Sequence, residues 1–212
     1  MSSGSESTKT TSPPTLTVFA GPNGSGKTSL TKKLIQLMAD MGPLVNADVM
    51  AAEMAGALGQ TSASNEQVLE AAHAAERRRN ELLEQRKSFA TETVMSDRSR
   101  WLSFFMRAKA AGFQVQLIFI STENPAINVG RVAQRVSSGG HDVPPEKIIN
   151  RYHKTHAFLP EVLALVDQAM IFDNSAPYGE PKLVLCMGSG HQFYAELDVS
   201  EIPTWAMTLM VS

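Results

Sequence analysis

Residues Gly21-Pro22-Asn23-Gly24-Ser25-Gly26-Lys27-Thr28 satisfy the pattern G-x-x-x-x-G-K-[ST] at every fixed position. No other feature of the sequence narrows the fold as much, because the pattern works in one setting only. Before it lies a short apolar run with β-branched residues, Thr15–Ala20, and after it a helical stretch from Lys27 to about Met41. Strand, glycine-rich turn and helix together make a phosphate cradle. The glycines let successive backbone N–H groups point inward at phosphate oxygens, and the helix start adds its positive dipole end. Lys27 is then placed to reach the β- and γ-phosphates and the Thr28 hydroxyl to ligate Mg²⁺, with Ser29 completing the nucleotide-binding segment. The ligands implied are ATP and Mg²⁺.

The remaining pattern alternates strands with helices. Pro43–Val45 predicts a short strand leading into Asn46-Ala47-Asp48, and two helices follow. Ser64 with Gln67 three residues on reads as a capping box opening the second helix, which runs to about Gln85. Phe89–Thr93 reads as a strand, Arg98–Ala111 as an amphipathic helix, Gln114–Ile120 as a strongly apolar strand and Pro125–Ser137 as a helix. A loop with two glycines and two prolines, Ser138–Pro145, precedes a helical stretch to about Val166 and a strand at Ala169–Asp173. Such alternation predicts parallel βαβ units, hence a three-layer α/β domain over 15–175 whose ligands sit beyond the carboxyl ends of its strands. Beyond Asn174 the pattern changes. Lys182–Met187 and Gln192–Val199 read as strands joined by a hairpin at Gly188-Ser189-Gly190-His191, a short β-rich extension of the same domain over 176–212.

Composition excludes several classes. At 43% apolar and 19% charged, the 212 residues suit an ordinary globular domain. A net charge of −2 leaves no electrostatic footprint for nucleic acid or anionic lipid. The single cysteine, Cys186, excludes an internal disulfide and lies in an apolar run, where a small core residue is expected. The Ser/Thr-rich residues 1–14 carry no hydrophobic segment and read as a disordered tail, neither signal peptide nor membrane span. A cytoplasmic location is the expectation.

Catalysis requires acids and cations near the loop. Asp48 follows a strand end, where a carboxylate can face the γ-phosphate and take a proton from an attacking hydroxyl; a helix N-cap is the alternative role. Glu92 ends the Phe89–Thr93 strand, suited to substrate or to the Mg²⁺ shell, or simply solvated. Glu76 lies mid-helix beside three arginines, where charges usually face water. Arg131, Arg135, His141 and Arg151 surround the Gly/Pro loop. The first two, four apart, share a helix face and suit a mobile lid that neutralises the γ-phosphoryl oxygens. His153 and His156 read as helix-surface residues.

Taken together, Gly21–Ser29, Asn46-Ala47-Asp48, Phe89-Ala90-Thr91-Glu92-Thr93 and the segment from Arg131 and Arg135 through Gly139-Gly140-His141 to Val143-Pro144, then Arg151-Tyr152, resemble the zeta-toxin family of P-loop kinases. The resemblance implies a P-loop kinase fold with a mainly parallel sheet. It also implies transfer of the ATP γ-phosphate to a hydroxyl of a UDP-activated amino sugar, UDP-N-acetylglucosamine in the best-known members, and a cognate antitoxin that blocks the ATP site. In that frame Asp48 corresponds to the general base and Lys27 to the loop lysine. Arg135, or Arg131 in its stead, corresponds to the γ-phosphate arginine. Glu92, Thr93 and Glu76 fall at substrate contacts, with His141 or Arg151 as a second cation. In place of the glycine-rich turn of the well-studied toxins stands Thr93-Val94-Met95-Ser96. Two other readings of the residues remain open: a P-loop kinase acting on another metabolite or an antibiotic, and an ATP-binding regulatory module.

Overall fold

The computed structural model describes residues 12–38, 41–140, 142–177, 180–188, 190–195 and 197–211. Most of the segment read as a tail, together with His141 and the hairpin residue Ser189, falls outside them. Strands β1 (Thr15–Ala20), β2 (Leu44–Val45), β3 (Phe89–Thr93), β4 (Gln114–Ser121), β5 (Gln168–Asp173), β6 (Lys182–Met187) and β7 (Phe193–Tyr194) form one sheet in the order β2-β3-β1-β4-β5-β6-β7. The first five run parallel, and β6 and β7 are added antiparallel. The helices are α1 (Lys27–Leu37), α2 (Ala47–Ala57), α3 (Asn65–Glu84), α4 (Arg98–Ala110), α5 (Pro125–Ser137), α6 (Pro145–Leu163) and α7 (Thr204–Met207).

Side-chain alternation on the strands divides the core into two layers. Leu16 and Val18 of β1 with Val115, Leu117 and Phe119 of β4 face one side, where Ala75 and Leu82 of α3, Phe104 and Phe105 of α4, and Phe158 and Val162 of α6 cover them. Phe19, Ile118 and Ile120 face the other side, against Leu30 and Leu34 of α1. A central strand buried on both faces has to be apolar at nearly every position, which is why β4 reads as a continuous hydrophobic run. Helix α3 opens on the capping box expected of Ser64 and Gln67, with the Gln67 N–H donating to Ser64 Oγ and the Ser64 N–H to Gln67 Oε1.

Helix α5 and the start of α6 lie apart from these layers. Val132, Val143 and Ile148 make a small apolar cluster of their own, with Val129 and Val136 packed beside it. At the end of α5 the Gly140 N–H bonds back to the Arg135 carbonyl and the Gly139 N–H to that of Val136. This is a Schellman cap, and it needs the left-handed φ of +85° that Gly139 adopts. A side chain at Gly140 would come within 2.6 Å of Arg135 Cγ, so the glycine pair lets the turn close over the arginine stem.

The C-terminal region departs from the sequence reading. The strand expected over Gln192–Val199 is reduced to Phe193–Tyr194, and at Val199 the chain enters a 3-10 turn, Val199–Glu201. The chain leaves the sheet edge because Ile202, Ala206 and Leu209 bury themselves against the layer of α4 and α6. Trp205 Nε1 anchors the turn by donating to Asp173 Oδ2 at 2.9 Å. Cys186 is half-buried, since only the two-residue β7 lies beyond it. Among the described residues no helix is long and apolar enough to cross a membrane.

Candidate active site

The loop 21–26 leaves the end of β1 and turns directly into α1. Gly21 has φ +150°, and a Cβ there would lie 2.0 Å from the Ile120 carbonyl oxygen, so only glycine lets the loop pass the neighbouring strand. Two asparagines tie the loop down. Asn128 Nδ2 donates to the Asn23 carbonyl at 2.7 Å, while its Oδ1 accepts from the Thr122 hydroxyl. Asn174 Nδ2 donates to the Ser25 carbonyl at 2.8 Å. Neither asparagine was singled out from the sequence. The available signals were a polar residue on the apolar stripe of α5 and a polar residue directly after β5.

Lys27 is buried at 9% exposure, and its ammonium donates to the Pro22 carbonyl at 2.8 Å. Burial pulls it from the ordinary 10.5 down to about 8. Glu92 and then Asp48 oppose that fall, while Arg135 and Arg151 reinforce it. Charged side chains from four other elements therefore lie within electrostatic reach of Lys27.

Asn46 is the N-cap of α2. Its Oδ1 accepts from the Asp48 N–H at 2.9 Å, with the Val49 N–H as a longer second donor. The Asp48 carboxylate is thus not spent on capping; it stands exposed in the first helical turn. Glu92, at the end of β3, accepts from the Thr28 hydroxyl at 2.8 Å through Oε1, and its Oε2 is buried with no partner. Thr93 Oγ1 accepts from the Met95 N–H at 2.9 Å, holding the turn after β3.

Among the cations, Arg151 Nη1 donates to Asn23 Oδ1 at 3.1 Å, linking α6 to the loop. Burial lowers its pKa, and the Asp48 carboxylate opposes that shift. Arg131 donates to the carbonyls of Asn174 at 2.7 Å and Ala176 at 2.8 Å, which fastens α5 to the chain after β5. Arg135, and not Arg131, is among the charges that act on Lys27. Glu76 pairs with Arg100 at 2.9 Å in a groove between α3 and α4, and no interaction among the described residues joins it to the loop.

His156 contradicts its reading as a surface residue. Its Nε2 lies 2.7 Å from Ser121 Oγ, and its ring stacks on Tyr152 and meets Trp205 edge-on. The helical pattern that placed it on α6 could not reveal that α7 covers that face.

The orphaned Glu92 Oε2 and the adjoining Thr28 hydroxyl are hard oxygen donors, the set that Mg²⁺ takes, and the residues present fit that ion. Among the described residues no cluster of His, Cys, Asp and Glu makes a metal site independent of a bound nucleotide.

A parallel sheet ordered β2-β3-β1-β4-β5, with its glycine loop after the central strand and charged residues gathered at the carboxyl ends, defines a P-loop protein of the kinase type. The sequence profile of Zeta toxin matches residues 2–178, and the chain belongs to that family. Among solved structures, the fold matches a chain of the AvrRxo1-ORF1:-ORF2 assembly crystallised with ATP at a TM-score of 0.68 and 23% identity, covering 86% of this chain and 60% of that one. This chain therefore spans less than two thirds of that relative. A second match is to the PezAT chromosomal toxin–antitoxin system of Streptococcus pneumoniae, at a TM-score of 0.57 and 16% identity, covering 97% of this chain and 80% of that one. A third is to the Pnkp1/Rnl/Hen1 RNA repair complex, at a TM-score of 0.54 and 19% identity, covering 72% of this chain and 47% of that one. No curated protein matches the sequence.

Proposed function

We propose that this chain is an ATP-dependent kinase that transfers the γ-phosphoryl group to a hydroxyl of a UDP-activated amino sugar of the UDP-N-acetylglucosamine type. The observation that carries the reading is the convergence of Asp48, Glu92, Arg135 and Arg151 on the buried Lys27 of the phosphate loop. A module that only bound nucleotide would need the loop and its lysine; it would have no use for an uncommitted carboxylate at Asp48.

In this reading the backbone N–H groups of Gly21–Ser29 hold the triphosphate. Lys27 and Arg135 neutralise its terminal oxygens as charge builds there. Asp48 accepts the proton of the acceptor hydroxyl as that oxygen bonds to the γ-phosphorus. The bond to the β–γ bridging oxygen breaks, and ADP leaves with the electron pair. Thr28 and Glu92 would hold Mg²⁺, which when bound offsets charge on the phosphate oxygens. Arg151 fixes the loop through Asn23 and lies within electrostatic reach of Asp48. His141 and Thr93 are assigned to the acceptor side, and Glu76, if it serves the acceptor, does so from the α3–α4 groove. The family and the two-component assemblies formed by the AvrRxo1 and PezAT relatives support a cognate protein partner that covers the nucleotide site.

The test incubates the purified protein with ATP, Mg²⁺ and a panel of nucleotide sugars and reads products by mass. A singly phosphorylated UDP-amino sugar is the expected result. Phosphorylation of some other acceptor would remove the sugar assignment, and no phosphorylated product with any acceptor would remove the kinase reading.

A further inference from the structure

Arg79 belongs to α3, yet only 7% of it is exposed. Buried guanidinium groups are ordinarily matched by a carboxylate, because desolvating an unpaired charge is costly. Among the described residues no carboxylate lies within ion-pair distance of Arg79, the nearby Glu76 being paired with Arg100. Arg79 contacts the face of Trp101 on α4, with the guanidinium carbon 5.5 Å from the ring centroid. It opens into a cavity of about 140 Å³ between α3 and α4, which is also lined by Arg100 and Arg107. The charge there is unbalanced: three guanidinium groups face the single carboxylate of Glu76. That carboxylate is engaged with Arg100, and Arg107 bonds the neutral Asn80, at 2.8 Å. Burial and then the neighbouring Arg100 pull Arg79 down to about 10, while the Glu76 carboxylate opposes that fall. The neighbouring arginines differ in this respect, since Arg77 and Arg78 pair with Glu70 and Glu81 on the exposed side of α3.

We propose that the groove between α3 and α4 is a second anion site, separate from the phosphate loop, that takes a phosphoryl group between Arg79, Arg100 and Arg107. The cavity suits one tetrahedral oxyanion. Planar guanidinium forks match phosphate oxygens two at a time, and Arg107 and Arg100 lie near enough to the surface to admit the ligand while Arg79 waits at depth. The site stands whether or not the kinase reading does, since it uses none of the loop residues.

The test is a titration of inorganic phosphate at constant ionic strength, followed through Trp101 fluorescence in a Trp205→Phe background that silences the other tryptophan. Saturable binding is expected in this protein and in its Lys27→Ala variant, which removes loop binding. Arg107→Gln, an exposed change that leaves Arg79 in place, should weaken binding about tenfold or more, the loss of one charge-assisted hydrogen bond. A fluorescence response that disappears in Lys27→Ala but survives Arg107→Gln would assign the phosphate to the loop and overturn the proposal. So would no saturable response in any variant, which would leave Arg79 satisfied by Trp101 alone.

Discussion

The Thr28 hydroxyl donates to Glu92 Oε1 at 2.8 Å, joining the first turn of α1 to the end of β3, 64 residues further along the chain. In the proposed kinase reading this bond links the nucleotide side of the site to its acceptor side. Glu92→Gln should preserve the fold and cut the Mg²⁺ dependence of nucleotide binding, measured as the ratio of ATP affinities with and without the ion. Thr28→Val should do the same. An unchanged ratio in both would show that neither oxygen serves the metal.

Asp48 carries the chemistry in the proposed reaction. Asp48→Asn keeps the size and the first-turn position and removes the proton acceptor. Phosphoryl transfer should fall by about two to four orders of magnitude, the usual weight of a general base, while ATP affinity changes little. Transfer retained within tenfold would take Asp48 out of that role.

Lys27 is costly to the empty protein. Its pKa is about 8 when folded against 10.5 ordinarily, so between those values the unfolded chain binds the extra proton. Stability therefore rises with pH across that window, and the penalty is fully present below pH 8. Lys27→Met should stabilise the nucleotide-free protein at pH 7, by on the order of 3 kcal/mol, with the gain shrinking toward pH 10.5. The same variant should lose nucleotide affinity. Denaturant melts at several pH values check the first expectation, and a gain independent of pH would refute it.

His156 supplies a second window of the same sign, on the acid side. Burial, and secondarily His153, hold it near 4 instead of 6.5. It is neutral in the fold but takes a proton in the unfolded chain between those values, so stability is intact above pH 6.5 and declines as pH falls toward 4. The loss is about 3 kcal/mol at most. Because the ring meets Trp205, undocking of α7 should accompany it, visible as a tryptophan emission shift. His156→Gln should flatten the pH dependence; an equally steep decline in that variant would place its source elsewhere.

Local patterns in the chain already announced the glycine loop, the capping box at Ser64, the alternating parallel unit and the strand-end positions of Asp48 and Glu92. Each rests on residues within a few positions of one another, where backbone conformation, helix capping and apolar periodicity act. Folding was needed to bring Asn128 and Asn174 onto the loop, to commit Arg131 to the carbonyls after β5, to bury His156 beneath α7, and to bury Arg79 against Trp101. Those outcomes depend on which faces meet across dozens of residues, and helical or strand periodicity says that a face is covered without saying by what. The sequence by itself determined the chemistry of the phosphate loop, and the tertiary structure decided which charges surround it, because Coulomb interactions and burial act through space and take no account of distance along the chain.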